Sequence, residues 1–242
     1  MIATSQKHEP PSSRLGTWIT AVSNFSVQYN FQAISIALLV MSDSQCTSSE
    51  ENCRNGVQAA WVGPTVAGTV FAGAVVGQLA MGWLGDRIGR DPAMLLTLSV
   101  SACAAACSAL LPSGSAASVY TTIIASRFIL GNGLGGVYPL SAAKATESAS
   151  ANDGPKKAAR AFFWQTPGAL SPWVAAYILS YWPSLSAEAF WRLLLGMGAV
   201  PAAAVAVLSL LEMKEVSKLH NAREQSGGAY RPLTPPDRKS VV

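Results

Sequence analysis

Charge is scarce in this chain. Of its 242 residues only 12 % are Asp, Glu, Lys or Arg, about half the share of a soluble globular domain. Those charges crowd into short polar segments and leave long apolar stretches almost bare. Histidine is rarer still: His8 and His220 both lie in the polar ends, so no histidine-based catalytic or metal cluster is expected. The four cysteines form no Cys-x-x-Cys pair and no cysteine–histidine spacing, which leaves out the common zinc boxes. A nucleophile elbow and a phosphate loop are also missing. An enzyme is therefore not expected, nor a cofactor or a resident metal. The net charge is +4, yet no basic patch with interleaved aromatics accompanies it, so nucleic acid is not an expected partner. The polar stretch Met1 to Ser13 is followed by an apolar run too long and too late for a cleavable signal peptide.

What the chain has in quantity is apolar sequence, at 50 % of its residues. The runs are long enough to cross a bilayer as helices, about 20 residues each. They are too long, and too rich in Ala, Leu and Gly, for the strands of a membrane barrel. Six spans are read, at about 15–41, 57–83, 93–111, 117–143, 158–182 and 190–211. The expected fold is thus an all-α membrane protein, one six-helix bundle over residues 15–211. A polar N-terminal tail (1–14) precedes it, and a polar C-terminal tail (212–242), expected to be disordered, follows.

Loop charge sets the expected orientation. Fourteen of the seventeen Lys and Arg residues fall on the side shared by both termini, the second-to-third loop and the fourth-to-fifth loop. Arg54 and Arg192 lie opposite, and Arg127 is inside a span. By the positive-inside bias both termini are expected in the cytoplasm. Cys46 and Cys53 then share a loop on the outside, where either a disulfide or two free thiols are open readings. Cys103 and Cys107, four apart on the third helix, read as small packing residues. Trp61, Trp173 and Trp182 read as packing or interface residues.

The spans are not uniformly apolar. The first holds Asn24, Gln28, Tyr29, Asn30 and Gln32, the fourth Arg127 and Asn132, and the fifth Gln165. Polar groups at membrane depth are costly and normally face a bundle interior or a wet cavity. Lys144, just past the fourth span, has two open readings: facing the cytoplasmic vestibule and attracting anions, or, the safer one, snorkelling to the interface.

Two motifs narrow the class. Between the second and third spans stands Gly82-Trp-Leu-Gly-Asp-Arg-Ile-Gly-Arg90. It resembles the loop signature of the major facilitator superfamily, Gly-x-Leu-x-Asp-Arg-x-Gly-Arg. In that loop Gly82 is expected to allow close helix contact, and Gly85 and Gly89 a tight turn. Asp86 is expected to cap or pair with helix ends, and Arg87 and Arg90 to clamp carboxylates or carbonyls as a cytoplasmic gate. Where that signature often continues with a basic residue, this chain has Asp91 and Pro92. In the fourth span, Arg127 followed by Gly131, Gly133, Gly135 and Gly136 resembles the superfamily's fourth helix. Arg127 needs a carboxylate, a carbonyl or a substrate anion, and a structural or a transport role is open to it.

The stretch Gly135-Gly-Val-Tyr-Pro-Leu-Ser141, the run Arg160 to Gln165 and the segment Trp191 to Pro201 resemble the inorganic phosphate:proton symporters of that superfamily. The resemblance covers about Gly16 to Glu215. It implies the N-terminal half of a twelve-span transporter, with substrate held between two six-helix halves that rock about a midplane site. It places Tyr138 and Gln165 at phosphate-binding positions, with Trp164 lining the same cavity and Arg127 and Asn30 as further candidates. A Tyr hydroxyl and a Gln amide both donate to oxyanions. The family's acidic residues, however, are replaced here by Val27, Asn30 and Val137. The expectations are a small anionic solute, phosphate or an organophosphate, with or without protons, and a lipid bilayer, expected to be the plasma membrane. The partner would be a second six-helix half or a second copy of the chain. The alternative is a truncated, non-transporting protein that associates with a full-length transporter.

Overall fold

The computed structural model describes residues 14–45, 53–54, 57–58, 60–147 and 153–225. Among these, the helices are α1 (Arg14–Gln45), α2 (Val62–Ile88), α3 (Arg90–Leu110), α4 (Ala116–Glu147), α5 (Gly154–Phe163), α6 (Gln165–Ser180), α7 (Ala187–Met197) and α8 (Ala199–Gln225). A two-residue antiparallel pair, β1 (Cys53–Arg54) with β2 (Val57–Gln58), precedes α2. The eight helices make six passes, because α5 with α6, and α7 with α8, are each one interrupted span. Proline explains where they break. Pro167 and Pro201 have no N–H to give to the carbonyls of Phe163 and Met197, four residues back, and α5 and α7 end at those residues.

Two boundaries differ from the sequence reading. The second span starts at Val62 rather than near residue 57, where the short β pair stands instead. It also runs on to Ile88, so most of the Gly82–Arg90 motif is the last two turns of α2. Only Gly89 leaves the helix, at φ 97°, ψ 159°, a conformation that glycine adopts without strain. At the far end, residues from Glu212 onward, expected to be disordered, continue α8 as helix to Gln225. Their Glu, Lys, Met, Ala and Arg content favours helix even outside an apolar environment.

Four helical segments among the described residues are long and apolar enough to cross a bilayer by length and composition: Leu15–Ser42, Val62–Ile88, Arg90–Leu110 and Ala187–Lys218. The other two passes are the helix that carries Arg127 and Lys144 and the one broken at Trp164. Trp61, Trp173 and Trp182 are each at least half exposed, as ring positions at a membrane interface would be. Cys103 is exposed and Cys107 half-buried, so only the latter is a packing residue.

Helix α4 is the centre of the bundle, packed chiefly on α2 and α3. Its contact with α2 is backbone against backbone. Gly73 and Gly77 of α2 face Gly131 and Gly135 of α4. A Cβ on any of the four would overlap a carbonyl oxygen across the interface: those of Phe128, Asn132, Val70 and Ala74 respectively. Small residues four apart on both helices let the axes approach in this way, and close packing is what holds helices together in lipid. Gly168 of α6 lies equally tight on the backbone of α1 at Phe25.

The buried apolar residues form two clusters. One contains Ile34, Met41, Val66, Tyr120, Ile123 and Trp191, the other Ile19, Val70, Met94, Leu98, Leu130 and Leu140. At one end of the bundle Arg192 of α7 ties the sixth pass to the third. It donates through Nη1 to the Ala109 carbonyl at 2.7 Å, through Nη2 to the Pro112 carbonyl and through Nε to Glu188 at 2.9 Å. The open carbonyls at the C-terminus of α3 are thereby satisfied.

Substituting Leu for Gly77 is expected to force α2 away from α4 and to cost about 1–3 kcal/mol or more, as overpacking of a close-packed interface does. Thermal unfolding in detergent measures it. The same change at Gly63, where a Cβ meets nothing within 4 Å, is the control expected to be near neutral.

Candidate functional site

Polar side chains from three passes meet in a single hydrogen-bonded chain. Gln28 of α1 donates through Nε2 to the Tyr138 hydroxyl of α4 and to Gln165 Oε1 of α6, both at 3.3 Å. Gln165 Nε2 donates to Asn24 Oδ1 at 2.9 Å. Asn24 Nδ2 donates in turn to Ser141 Oγ at 3.3 Å and to the Thr20 carbonyl at 2.8 Å, and Ser141 donates to the Tyr138 carbonyl at 3.2 Å. Tyr138 accepts from Gln28, which leaves its own O–H proton to be given outward. Tyr138 and Gln28 also line a cleft of about 370 Å³ between α1, α2 and α4, together with Gln32, Ser35, Gln78, Phe31 and Phe71 among others. The arrangement is a row of neutral donors and acceptors in an apolar bundle, open on one side. It is suited to holding a polar solute by hydrogen bonds rather than to breaking a bond.

The residues expected at the site separate into two groups. Tyr138 and Gln165 come together in the chain just described. Trp164 is half-buried at the junction of α5 and α6, where its ring packs on Trp18 at 5.7 Å between centroids. Arg127 and Asn30 lie elsewhere, sealed in the interior. Arg127 has no solvent-accessible surface. Its Nη1 donates to the backbone carbonyl of Asn30 at 3.2 Å and its Nη2 to Ser108 at 3.4 Å, while Nε has no partner. No carboxylate among the described residues pairs with it. Asn30 donates to the Ser26 and Gly198 carbonyls at 2.9 and 3.0 Å. Asn30 thus fixes α1 to the break between α7 and α8, and Arg127 fixes α4 to α1. In this structure Arg127 bonds a carbonyl of the first helix and touches no open cavity.

The motif at the α2–α3 junction is partly paired. Asp86 and Arg90 form an ion pair at 2.7 Å, and Arg87 lies over the Trp83 ring at 4.5 Å. Gly85 is packed hard against Leu140, whereas a Cβ on Gly82 would make only an ordinary contact with Pro139, at 3.9 Å. Close helix contact is thus a property of Gly85 here, not of Gly82. Asp91, the residue that departs from the signature, has a partner. Lys144 Nζ reaches Asp91 Oδ1 at 2.7 Å and Glu212 Oε2 at 2.5 Å. With its side chain 14 % and that of Glu212 11 % exposed, Lys144 joins α3, α4 and α8 from inside. Both Asp91 and Glu212 are acidic where basic residues dominate the neighbouring sequence, the one local signal for the contact.

Sequence reasoning noted Asn24, Gln28 and Gln32 as polar residues of the first span without assigning them to the site. They stand four apart, one stripe on a helix. Gln78, the one side-chain amide in α2, also went unassigned. Cys46 and the side chain of Cys53 lie outside the described residues, so their pairing is not addressed. Among the described residues no group of three or more His, Cys, Asp or Glu could hold a metal ion.

Comparison with known proteins agrees with this architecture. The profile of the Major Facilitator Superfamily matches residues 20–241. The chain belongs to this superfamily. It is 36 % identical over 187 residues to inorganic phosphate transporter PT2 of Toxoplasma gondii (strain ATCC 50861 / VEG), covering 76 % of this chain and 32 % of that protein. It is also 36 % identical over 159 residues to low affinity inorganic phosphate transporter 4 of Medicago truncatula, covering 59 % of this chain and 30 % of that one. The chain spans about a third of the length of these curated relatives. Among solved structures it is similar to the proton:xylose symporter XylE bound to 6-bromo-6-deoxy-D-glucose, with a TM-score of 0.70 at 17 % identity over 81 % of this chain and 44 % of that one. The inward-open xylose transporter XylE from E. coli gives 0.68 at 17 % identity, with 81 % and 46 % covered. At that identity the likeness speaks for the fold alone: one helical bundle, less than half of each transporter. The protein is an integral membrane member of the Major Facilitator Superfamily.

Replacing Lys144 by Met removes the cation shared by Asp91, 45 % exposed, and Glu212, 11 % exposed. The expected cost is about 2–4 kcal/mol, because the largely buried Glu212 carboxylate loses the Lys144 ammonium. Adding Glu212→Gln is expected to recover part of it, a coupling that thermal unfolding of the two single and one double variant would read.

Proposed function

We propose that this chain is one six-helix half of an alternating-access solute transporter, and that its cargo is phosphate or a related anionic or organophosphate solute. The observation that carries the reading is the Tyr138–Gln28–Gln165–Asn24 chain, which joins neutral polar groups from three passes and reaches an open cleft at Tyr138 and Gln28. Donors of this kind bind an oxyanion without a fixed counter-charge. The similarity to inorganic phosphate transporters supports the choice of solute. In this reading the Asp86–Arg90 pair and Arg87 stand at the cytoplasmic mouth, where the loop charges place both termini, and the membrane is the plasma membrane. The second bundle is either a further copy of this chain or another half, since substrate in this architecture is held between two bundles.

The missing acids bear on coupling. Val27 and Val137 are buried apolar residues and Asn30 is neutral. Among the described residues no carboxylate lies in the membrane interior of the bundle. Movement through this half is therefore read as uncoupled, with any proton step belonging to the partner bundle.

The chain is purified, reconstituted in vesicles and assayed for labelled phosphate uptake with and without an inward proton gradient. Saturable uptake that the gradient does not alter is expected, and Gln165→Ala is expected to lower it at least about tenfold, the effect of roughly one good hydrogen bond to a charged group. No flux from protein whose helices are intact by circular dichroism would overturn the reading for this chain alone.

A further inference from the structure

The cleft beside Tyr138 is larger and chemically richer than a bare phosphate ion requires. Its volume is about 370 Å³, and phosphate has five heavy atoms. Beyond Tyr138 and Gln28 it is lined by two more amides, Gln32 from α1 and Gln78 from α2. Neither is buried, and Gln78 stands well inside the 27-residue α2. No hydrogen bond from either side chain to another described residue is present. Amides at membrane depth that face an opening and have no protein partner must meet water or a solute. Between them stands an aromatic wall: the Phe31 and Phe71 rings are stacked across α1 and α2, 5.1 Å apart at 9°.

We infer that this cleft is a second subsite, in which Gln32, Gln78 and the Phe31–Phe71 wall take the hydroxylated carbon part of a phosphorylated polyol whose phosphate sits at Tyr138 and Gln28, the latter held by Gln165. An amide offers a donor and an acceptor side by side, which matches a hydroxyl that does both. The flat aromatic surface suits the C–H face of a polyol, while a bare phosphate has nothing to place against it. Gln32 and Gln78 are then specificity-determining residues. They would separate phosphate esters from inorganic phosphate by the rule that a site built to bond hydroxyls discriminates against a ligand lacking them. The inference rests on the proposed anion-carrying function of the same site.

Binding of inorganic phosphate, glycerol 3-phosphate, glucose 6-phosphate and glucose to the full 242-residue chain in lipid nanodiscs would be measured by calorimetry. The esters are expected to bind at least about tenfold more tightly than inorganic phosphate. Gln78→Ala and Gln32→Ala are each expected to reduce that ester-to-phosphate ratio several-fold, about one hydrogen bond's worth. Both positions are open to the cleft, so circular dichroism should show the variants folded. If phosphate binds and the esters bind no better, or if the variants weaken both equally, the second subsite is wrong while the anion-carrying reading stands. If no phosphate compound binds, or glucose binds as well as its phosphate, the anion reading itself falls and the inference with it.

Discussion

The contact of α2 with α4, glycine against glycine, is the constraint from which the rest of the bundle follows. In lipid no hydrophobic force drives two apolar helices together, so they must gain by touching closely. Gly73, Gly77, Gly131 and Gly135 bring the two backbones to within a missing Cβ of each other. That fixes the rotation of α4 about its axis. Once the glycine stripe faces α2, Arg127 points to the α1 carbonyl at Asn30, Tyr138 and Ser141 meet Gln28 and Asn24 of α1, and Lys144 reaches α3 and α8. A polar residue at each of several levels of one helix finds a partner because the stripe has already decided where it points.

The interior this creates is unusual in its charge. Arg127 is a buried cation satisfied by a carbonyl and a hydroxyl, with Nε and the nearby Asn30 Oδ1 unpartnered. An unpaired buried ion ordinarily costs several kcal/mol. The surroundings must therefore over-determine its position, and the bonds from Arg127 to the Asn30 carbonyl and Ser108 tie α4 to α1 and α3. Charge is compensated instead at the ends, by Glu188 with Arg192, Asp86 with Arg90, and Asp91 and Glu212 with Lys144. The bundle thus pairs its charges at its ends and keeps Arg127 among neutral groups in its interior.

Much of this was legible beforehand, for identifiable reasons. The six passes follow from apolar length, and the superfamily from the Gly82–Arg90 motif, because both depend on residues near one another in the chain. Tyr138 and Gln165, singled out by their local motifs, come into one hydrogen-bonded chain through Gln28. What escaped depends on contacts between distant residues. The pairing of Lys144 with Glu212 joins the ends of two helices far apart in sequence, and nothing near Lys144 announces it. Asn30 and Arg127 read as site residues because polar groups in a span suggest a cavity, yet the helix rotation set by the glycines turns them inward. The turn was read at Gly85 and Gly89, whereas the helix continues through Gly85 and only Gly89 leaves it.

The outer face of α2 connects the fold to the half-transporter reading. Only 28 % of its most apolar window is buried in the bundle, against 56 % for α1. Phe71, Val75, Leu79 and Trp83 are exposed along it, and so is Gln78. Lipid would accept the apolar residues but not the amide, nor the open side of the Tyr138 chain, since an unsatisfied polar group in hydrocarbon costs several kcal/mol. A surface that is apolar along its ridge and polar in its cleft fits lipid poorly on one count and water poorly on the other. A second bundle meets both demands, with apolar contact on the ridge and an enclosed, wet space over the amides. On the half-transporter reading, this surface is where a partner bundle would sit, with the polar solute held in the space between the two.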